Sequence, residues 1–447
     1  TGTPTNTKKA TISAWVKRAT LGYYQVIAYS GDPNGSTSES LRFNSNDTIS
    51  FSQASSDYVL TTTQVFRDVG AWYHIVAEID TANGTSADRA NLYVNGTKVT
   101  SLSTANYPTQ NYVTNWTASS GSIAHTWCTN GIPAAGPSSQ LFAGYLAEMF
   151  VLDGEKAGAT AFGETNNDGV WVPIEYSGSF GNNGYYMTGE TASALGEDFS
   201  GNNLDFTTVA LTTADQMGDT PTTGYPTINS TFDYYTSGNT SYARPDFAVS
   251  KALDGNLKLA YASPNTSVNY CTMSFGSSGK FYFEVTAAVA SALVIGIGGS
   301  KNIELGIGSS SSTAMANVIG YYNNGKLFDQ NATAATYGNA SSIANGEFVG
   351  VAYSVDDDAI WFCDNGTWVD GNGTESSATV LAQIEAGNTT SAASTDFTDD
   401  QNAWFPFVAA VGDYPTAVFN FGQSSFTGSA PSGFTHLNTA NLPTPSI

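Results

Sequence analysis

The chain has 447 residues, with 15 basic against 38 acidic side chains, a formal charge of −23, and charged residues making up only 12% of the total. That length accommodates two or three domains, each with its own core. A balance so acidic, without a basic stripe, argues against nucleic acid and anionic membrane surfaces as partners, and no apolar run reaches the roughly 18 residues that a membrane-crossing helix needs.

In chain order, strand patterns dominate and helical spacing is scarce. Thr11-Ile12-Ser13-Ala14-Trp15-Val16, Leu41-Arg42-Phe43, Ile49-Ser50-Phe51 and Val59-Leu60-Thr61 are short alternating or β-branched runs separated by polar turn clusters. Residues 72–80 pair with 90–99, and residues 348–355 with 359–368. Each pair closes on an Asn-Gly turn, Asn95-Gly96 and Asn365-Gly366, whose positive φ values suit a tight hairpin and specify its register. Residues 142–154 form a later strand running into a turn, and residues 157–162 fit one short helical turn. Residues 213–235, dominated by Thr, Asp, Pro and Gly, read as a linker, and a second strand series follows through residues 280–285, 294–298, 319–322 and 404–411. Short strands at regular spacing with polar turns predict an all-β chain of two β-sandwich (jelly-roll) domains in tandem. The expected boundaries are 1–212, the linker 213–235, 236–426, and a C-terminal surface strap over 427–447.

Two resemblances follow from these motifs. Thr11-Ile12-Ser13-Ala14-Trp15-Val16-Lys17, the pair Trp72-Tyr73-His74-Ile75-Val76 and Leu92-Tyr93-Val94-Asn95-Gly96, and the Gly144-to-Glu148 strand ahead of Asp153-Gly154 resemble laminin-G-like, concanavalin A-type jelly rolls over residues 1–212. Tyr282-Phe283-Glu284-Val285, Gly296-Ile297-Gly298, Ile360-Trp361-Phe362 ahead of Asn365-Gly366, Phe405-Pro406-Phe407 and Asn420-Phe421-Gly422-Gln423 resemble a SPRY domain over residues 236–426. The tandem, with Phe162-Gly163-Glu164-Thr165 and Val170-Trp171-Val172-Pro173 between the halves, is similar to virion appendage proteins of tailed phages, particularly marine ones. The resemblance implies a virion, extracellular protein without enzymatic activity: a tail-fibre or appendage component that recognises a host surface. Its implied partners are other virion proteins and a host-surface glycan or receptor, in a homo-oligomer with a trimer favoured. A capsid decoration or head-fibre protein that holds neighbouring shell subunits is the alternative, and a secreted lectin or glucanase-like protein is the third reading.

The chemistry in the sequence is sparse. Glu78-Ile79-Asp80 begins the Glu-Ile-Asp-x-x-Glu strand of the glucanases, but Asn83 stands where the second acid belongs. Retaining hydrolysis needs two carboxyls about 5 Å apart, so no catalytic residue is expected. His74, His125 and His436 fall in no triad or ligand spacing, and His74 reads as a packing residue within its strand. Cys128, Cys271 and Cys363 are expected as buried hydrophobes. No metal site is assigned. For Asp356-Asp357-Asp358, and for Asp396 with Asp399-Asp400, calcium is weighed against solvated turn carboxylates, with the turn reading preferred for the first.

The candidate ligand-binding residues are Tyr107, Tyr112, Trp116 and Trp127, in the polar stretch 104–139. Aromatic rings on loops at a sandwich edge suit either stacking on the apolar faces of sugars or packing against neighbouring subunits. In the second half, residues 301–312 and 371–400 are the candidate binding loops.

Overall fold

The computed structural model describes residues 2–32, 37–55, 57–118, 122–130, 140–229, 233–237, 240–244, 250–261, 266–300, 317–329, 335–395, 397, 403–411 and 413–442, with the backbone alone for 233–237, 240–244, 250, 251 and 266. The chain divides into two compact units, Thr1–Thr222 and Thr223–Ile447.

The first unit contains β1 (Lys9–Arg18), β2 (Gln25–Gly31), β3 (Glu39–Phe43), β4 (Thr48–Gln53), β5 (Val59–Val65), β6 (Tyr73–Asp80) and β7 (Ala90–Val94). It continues with β8 (Thr97–Lys98), β9 (Leu102–Asn106), β10 (Ala124–Trp127), β11 (Gly144–Asp153), β12 (Gly163–Thr165), β13 (Trp171–Pro173) and β14 (Tyr185–Met187). Two six-stranded sheets result, ordered β14-β11-β1-β6-β7-β8 and β10-β2-β3-β4-β5-β9, with β12-β13 as a separate hairpin. Alternation decides what lies between the sheets: Ala10, Ile12, Ala14 and Val16 of β1 meet Leu41, Phe43, Ile49, Phe51 and Leu60 of the other sheet. The intervening residues of β1, Thr11, Ser13, Trp15 and Lys17, face the other way and are buried as well. The reason is a third layer. Phe162, Trp171, Tyr176 and Phe180 return across the outer face of the first sheet and pack on Val76, Phe150 and Leu152.

In the second unit the strands are β15 (Asp233–Ser237), β16 (Thr240–Arg244), β17 (Ser250–Leu253), β18 (Lys258–Tyr261), β19 (Thr266–Tyr270), β20 (Lys280–Val289), β21 (Leu293–Gly299) and β22 (Val318–Tyr322). They continue as β23 (Lys326–Asp329), β24 (Ala335–Thr336), β25 (Phe348–Ser354), β26 (Ala359–Asp364), β27 (Thr367–Trp368), β28 (Trp404–Ala410), β29 (Thr416–Asn420) and β30 (Thr435–His436). Its sheets run β16-β15-β19-β28-β21-β22-β23-β24 and β17-β18-β29-β20-β25-β26-β27, with β30 beside β20. Phe281, Phe283, Val285, Ile295, Ile297, Val349, Val351, Ile360, Phe362 and Phe419 form its core. The chain is all-β, built as two sandwiches.

Both long pairs form, β6 with β7 and β25 with β26. Asn95 and Gly96 have φ of 46° and 78°, and Asn365 and Gly366 have 45° and 89°. These turns fold β7 onto the short β8 and β26 onto the short β27, one step beyond the pairs they follow.

Three expectations need correction. Residues 213–235 are not a free linker, because Asp219 is buried against Lys17 and Trp72 of the first unit, while Thr227 and Ile228 are buried in the second. The strap over 427–447 is more than a surface feature: Thr435 and His436 pair in parallel with β20, and Leu437 enters the core. Residues 371–400 contain the chain's one described α-helix, α1 (Ser377–Glu385), capped by Ser376 accepting from the Thr379 amide at 3.3 Å. Val380 and Ile384, four residues apart on one helix face, pack on Tyr282, Trp361 and Trp368. Just before the helix, Asp370 accepts from the amides of Asn372, Thr374 and Glu375, which ties the turn down.

Candidate functional site

Of the four aromatic residues expected to meet a ligand, Trp116 is taken up by the core and the other three are partly covered. Trp116 is 0% exposed and belongs to the core of the first unit, with Tyr107, Tyr112 and Trp127 half-buried against that core. Trp116 packs on Phe51 at 6.3 Å between ring centroids, and Tyr112 on Tyr58 at 5.9 Å. The cause is a buried carboxylate. Thr114 Oγ1 and the Asn115 amide donate to Glu39 Oε2 at 2.6 and 3.0 Å and draw the short 3-10 turn Asn115–Thr117 into the sandwich. Burial pushes the Glu39 carboxyl up to about 7, with the donors from Thr114 and Asn115 opposing the shift.

The acidic candidates are accounted for in the same way. Asp356–Asp358 lie in the β25–β26 turn: Asp356 accepts from the Gly279 amide at 2.8 Å, and Asp357 pairs with Lys280 and accepts from Ser354 Oγ at 2.8 Å. Asp396, Asp399, Asp400 and residues 301–312 lie outside the described residues. Among the described residues, no group of three or more His, Cys, Asp or Glu side chains gathers around a common point. Cys271 and Cys363 are buried, Cys128 is partly buried, and all three are free thiols.

Of the glucanase-like residues, Glu78 is buried beside the third layer. Glu78 Oε1 accepts from Asn91 Nδ2 at 2.7 Å and Tyr93 OH at 3.1 Å, with Lys156 Nζ at 3.5 Å, while Asn83 Oδ1 accepts from the Thr85 amide at 2.9 Å. His74 is a packing residue: it stacks between Trp15 and Trp171, at centroid distances of 4.9 and 6.0 Å. Trp171 Nε1–H donates to His74 Nδ1 at 3.0 Å, so the ring proton resides on Nε2 and is donated to Ser13 Oγ at 2.9 Å. Burial holds the imidazole down at about 3.

The outer face of the second sheet is built differently. Since Leu41 and Phe43 point inward, Ser40, Arg42 and Asn44 point outward, and the register aligns the other outward residues with them. Val26, Arg42, Ser50, Thr61 and Thr104 form one row across five strands, and Tyr29, Ser40, Ser52, Val59 and Asn106 form the next. Asn44 Nδ2 donates to Ser50 Oγ at 2.7 Å, and Ser50 Oγ bonds Thr61 Oγ1 at 2.8 Å. Val26, Tyr29, Ser40, Ser50 and Ser52 are buried, whereas Arg42 and Thr61 are partly exposed and Thr104 is exposed, and among the described residues no apolar cluster packs across these last three.

At one end of this face stand Tyr23 and Tyr24, 67% and 46% exposed. Asp47 organises that end, accepting from the Gly22 amide at 2.9 Å and from Arg67 Nε at 2.8 Å, with Arg18 Nη1 at 3.1 Å. Burial of Asp47 is outweighed by these donors, so its carboxyl lies below its ordinary value. The sequence reading identified the strand Leu41-Arg42-Phe43 but not this site. The usable signal was the polar partner of the alternation, Ser40-Arg42-Asn44.

Residues 1–155 match the family model of the concanavalin A-like lectin/glucanases superfamily, and the first unit thus carries a concanavalin A-like domain. Among solved structures, the chain is similar to the SPRY domain of human HERC1 at 12% identity, covering 39% of this chain and 94% of that one with a TM-score of 0.28. A human SPRY domain is similar at 14% identity, covering 38% and 94% with a TM-score of 0.25. A native heptameric SAP-like pentraxin from Limulus polyphemus is similar at 16% identity, covering 34% and 66% with a TM-score of 0.26. No curated protein matches.

Proposed function

We propose that the chain is a non-enzymatic virion structural protein of a tailed phage, a tail-fibre or appendage component whose first unit binds host-surface saccharide. The observation that carries the binding role is the polar outer face of that unit's second sheet, accessible at Arg42, Thr61 and Thr104 and ending at two exposed tyrosines. Sugars present alternating hydroxyls and apolar C–H faces, which a Ser/Thr/Asn row and tyrosine rings complement. The lectin/glucanase match of residues 1–155 supports a saccharide as the ligand. A binding rather than hydrolytic role is supported by Glu78, whose contacts to Asn91, Tyr93 and Lys156 engage the only acid of the glucanase-like motif that has a buried network. The virion setting rests on the tandem order of sequence motifs, and a homo-oligomer, a trimer by preference, supplies the avidity that weak saccharide contacts need.

The test is a glycan array probed with the labelled full chain, paired with light scattering for oligomeric state and chromatography of the glycans after incubation. Binding without cleavage by an oligomer supports the proposal. Released shorter oligosaccharides, or no bound glycan at all, overturn it. Mass spectrometry of purified particles tests the virion assignment directly.

A further inference from the structure

The geometry points to an acidic saccharide, one bearing a uronate carboxylate or a sulfate ester, as the ligand of this face, with Arg42 as the residue that reads the anion. This inference rests on the saccharide-binding reading above and adds the charge of the sugar to it.

The argument starts from how the chain uses its few cations. Arg18 and Arg67 pair with Asp47, Lys17 with Asp219, Lys156 with Glu78 and Lys280 with Asp357. Arg89 has no carboxylate but gives its donors to the carbonyls of Asn83, Pro108 and Gly84 at 2.8, 3.1 and 3.1 Å. Arg42 differs from all of them. Its Nε donates to Asn44 Oδ1 at 3.3 Å, its guanidinium lies 5.6 Å from the Tyr24 ring centre, and neither Nη group has an acceptor among the described residues. With 38 acidic residues available to the chain, an arginine left without one on a sheet face is a specific arrangement. Asn44 and Tyr24 hold the guanidinium plane in place while leaving its fork free.

Such a fork matches the paired oxygens of a carboxylate or sulfate with two parallel N–H donors. Burial of the stem lowers the pKa of Arg42 but leaves an always-charged group, in surroundings poorer in water than an open surface. In a chain of net charge −23, Arg18 and Arg67 are taken up by Asp47, which leaves Arg42 as the guanidinium open to an anion on this face. Asp47 is already neutralised by its two arginines, and Asp68 Oδ1 accepts from the Gly70 amide at 2.8 Å. Tyr23, Tyr24, Thr61 and Thr104 then complement the sugar ring around the bound anion.

The experiment measures calorimetric binding of the full chain to three probes: a galacturonate hexamer, a sulfated carrageenan hexamer and neutral maltohexaose. At least one acidic probe is expected to bind more tightly than the neutral one, with an affinity that falls as salt is added. Arg42→Gln is expected to weaken acidic binding about tenfold or more, and by a larger factor than it weakens neutral binding. Arg42→Lys, which keeps the charge but not the fork, is expected to fall between the two. It is the deciding variant should Arg42→Gln fail to give the native circular dichroism spectrum. A preference between the uronate and sulfate probes identifies which anion is read, and either preference supports the inference. Equal affinity for neutral and acidic probes, or acidic binding indifferent to both substitutions, overturns the inference while saccharide binding itself stands. Absence of binding to all three probes and to the glycan array overturns both.

Discussion

The first unit presents two outer sheet faces made by the same alternation of residues, and they have opposite fates. On β1 and β6 the outward residues include Trp15, His74 and Val76, which are apolar or neutral and lie under Phe162 and Trp171. On β3 and β4 they are Ser40, Arg42, Ser50 and Ser52, and no comparable apolar cluster among the described residues covers Arg42. A face acquires an apolar third layer when burying it yields apolar contact, and keeps polar groups in water, here Arg42, Thr61 and Thr104, when they would otherwise be left unpaired. The two Asn-Gly turns carry the same contrast in miniature. A Cβ on Gly96 would come within 2.5 Å of the Trp171 ring, whereas a Cβ on Gly366 would meet nothing within 4 Å.

The comparison can be broken most forcefully at Asp47, which organises the available face. Asp47→Ala leaves Arg18, 0% exposed, without its carboxylate and is expected to cost about 3–5 kcal/mol in urea unfolding. On the sealed face, Trp171→Ala removes the cover over Gly96 and His74 and is expected to cost about 3 kcal/mol in the same assay. A cost below about 1 kcal/mol would mean that the third layer contributes little to that face.

Next comes the pH response of the interior. Glu39 binds its proton more tightly in the folded state, at about 7 against an ordinary 4.5, so its contribution to stability is fully present below 4.5 and is lost as pH rises through 7. The loss is on the order of 3 kcal/mol. His74, held at about 3 against an ordinary 6.5, acts with the opposite sign: its contribution is full above 6.5 and is lost as pH falls toward 3. Between 4.5 and 6.5 the two oppose each other. Glu39→Gln removes one side, so the stability of the variant relative to the native chain should improve steadily from pH 4.5 to 7. A pH-independent difference would show that Glu39 does not titrate in this window.

The turns give a smaller test. Gly366→Ala meets only the left-handed backbone cost of about 1–2 kcal/mol, and Gly96→Ala adds the collision with Trp171, so it should be the more destabilising of the two. Equal costs would show that Trp171 yields freely. Smallest of all, Arg42→Gln should change stability by no more than about 0.5 kcal/mol, as expected of a group held ready for a ligand rather than for the fold.

Local pattern and turn chemistry were enough for much of this protein. Period-two alternation identified strands such as 11–16, 72–80 and 348–355, and the positive φ that Asn-Gly supplies located both turns, because each depends on residues adjacent in the chain. The same logic recognised Asn83 as an amide in the second acid position of the glucanase-like motif. Partners distant in sequence were decided only by the tertiary structure. Trp116 appears as an exposed loop aromatic until Glu39, from a strand more than seventy residues earlier, draws its turn inward. Asp219 appears to lie in a linker until Lys17 and Trp72 bury it. Arg42 appears as one residue of a strand until the register places it in a polar row and Asp47 proves to be engaged by Arg18 and Arg67. Alternation determines which way a side chain points, but what it meets there is set by the long-range packing of sheets and covering segments.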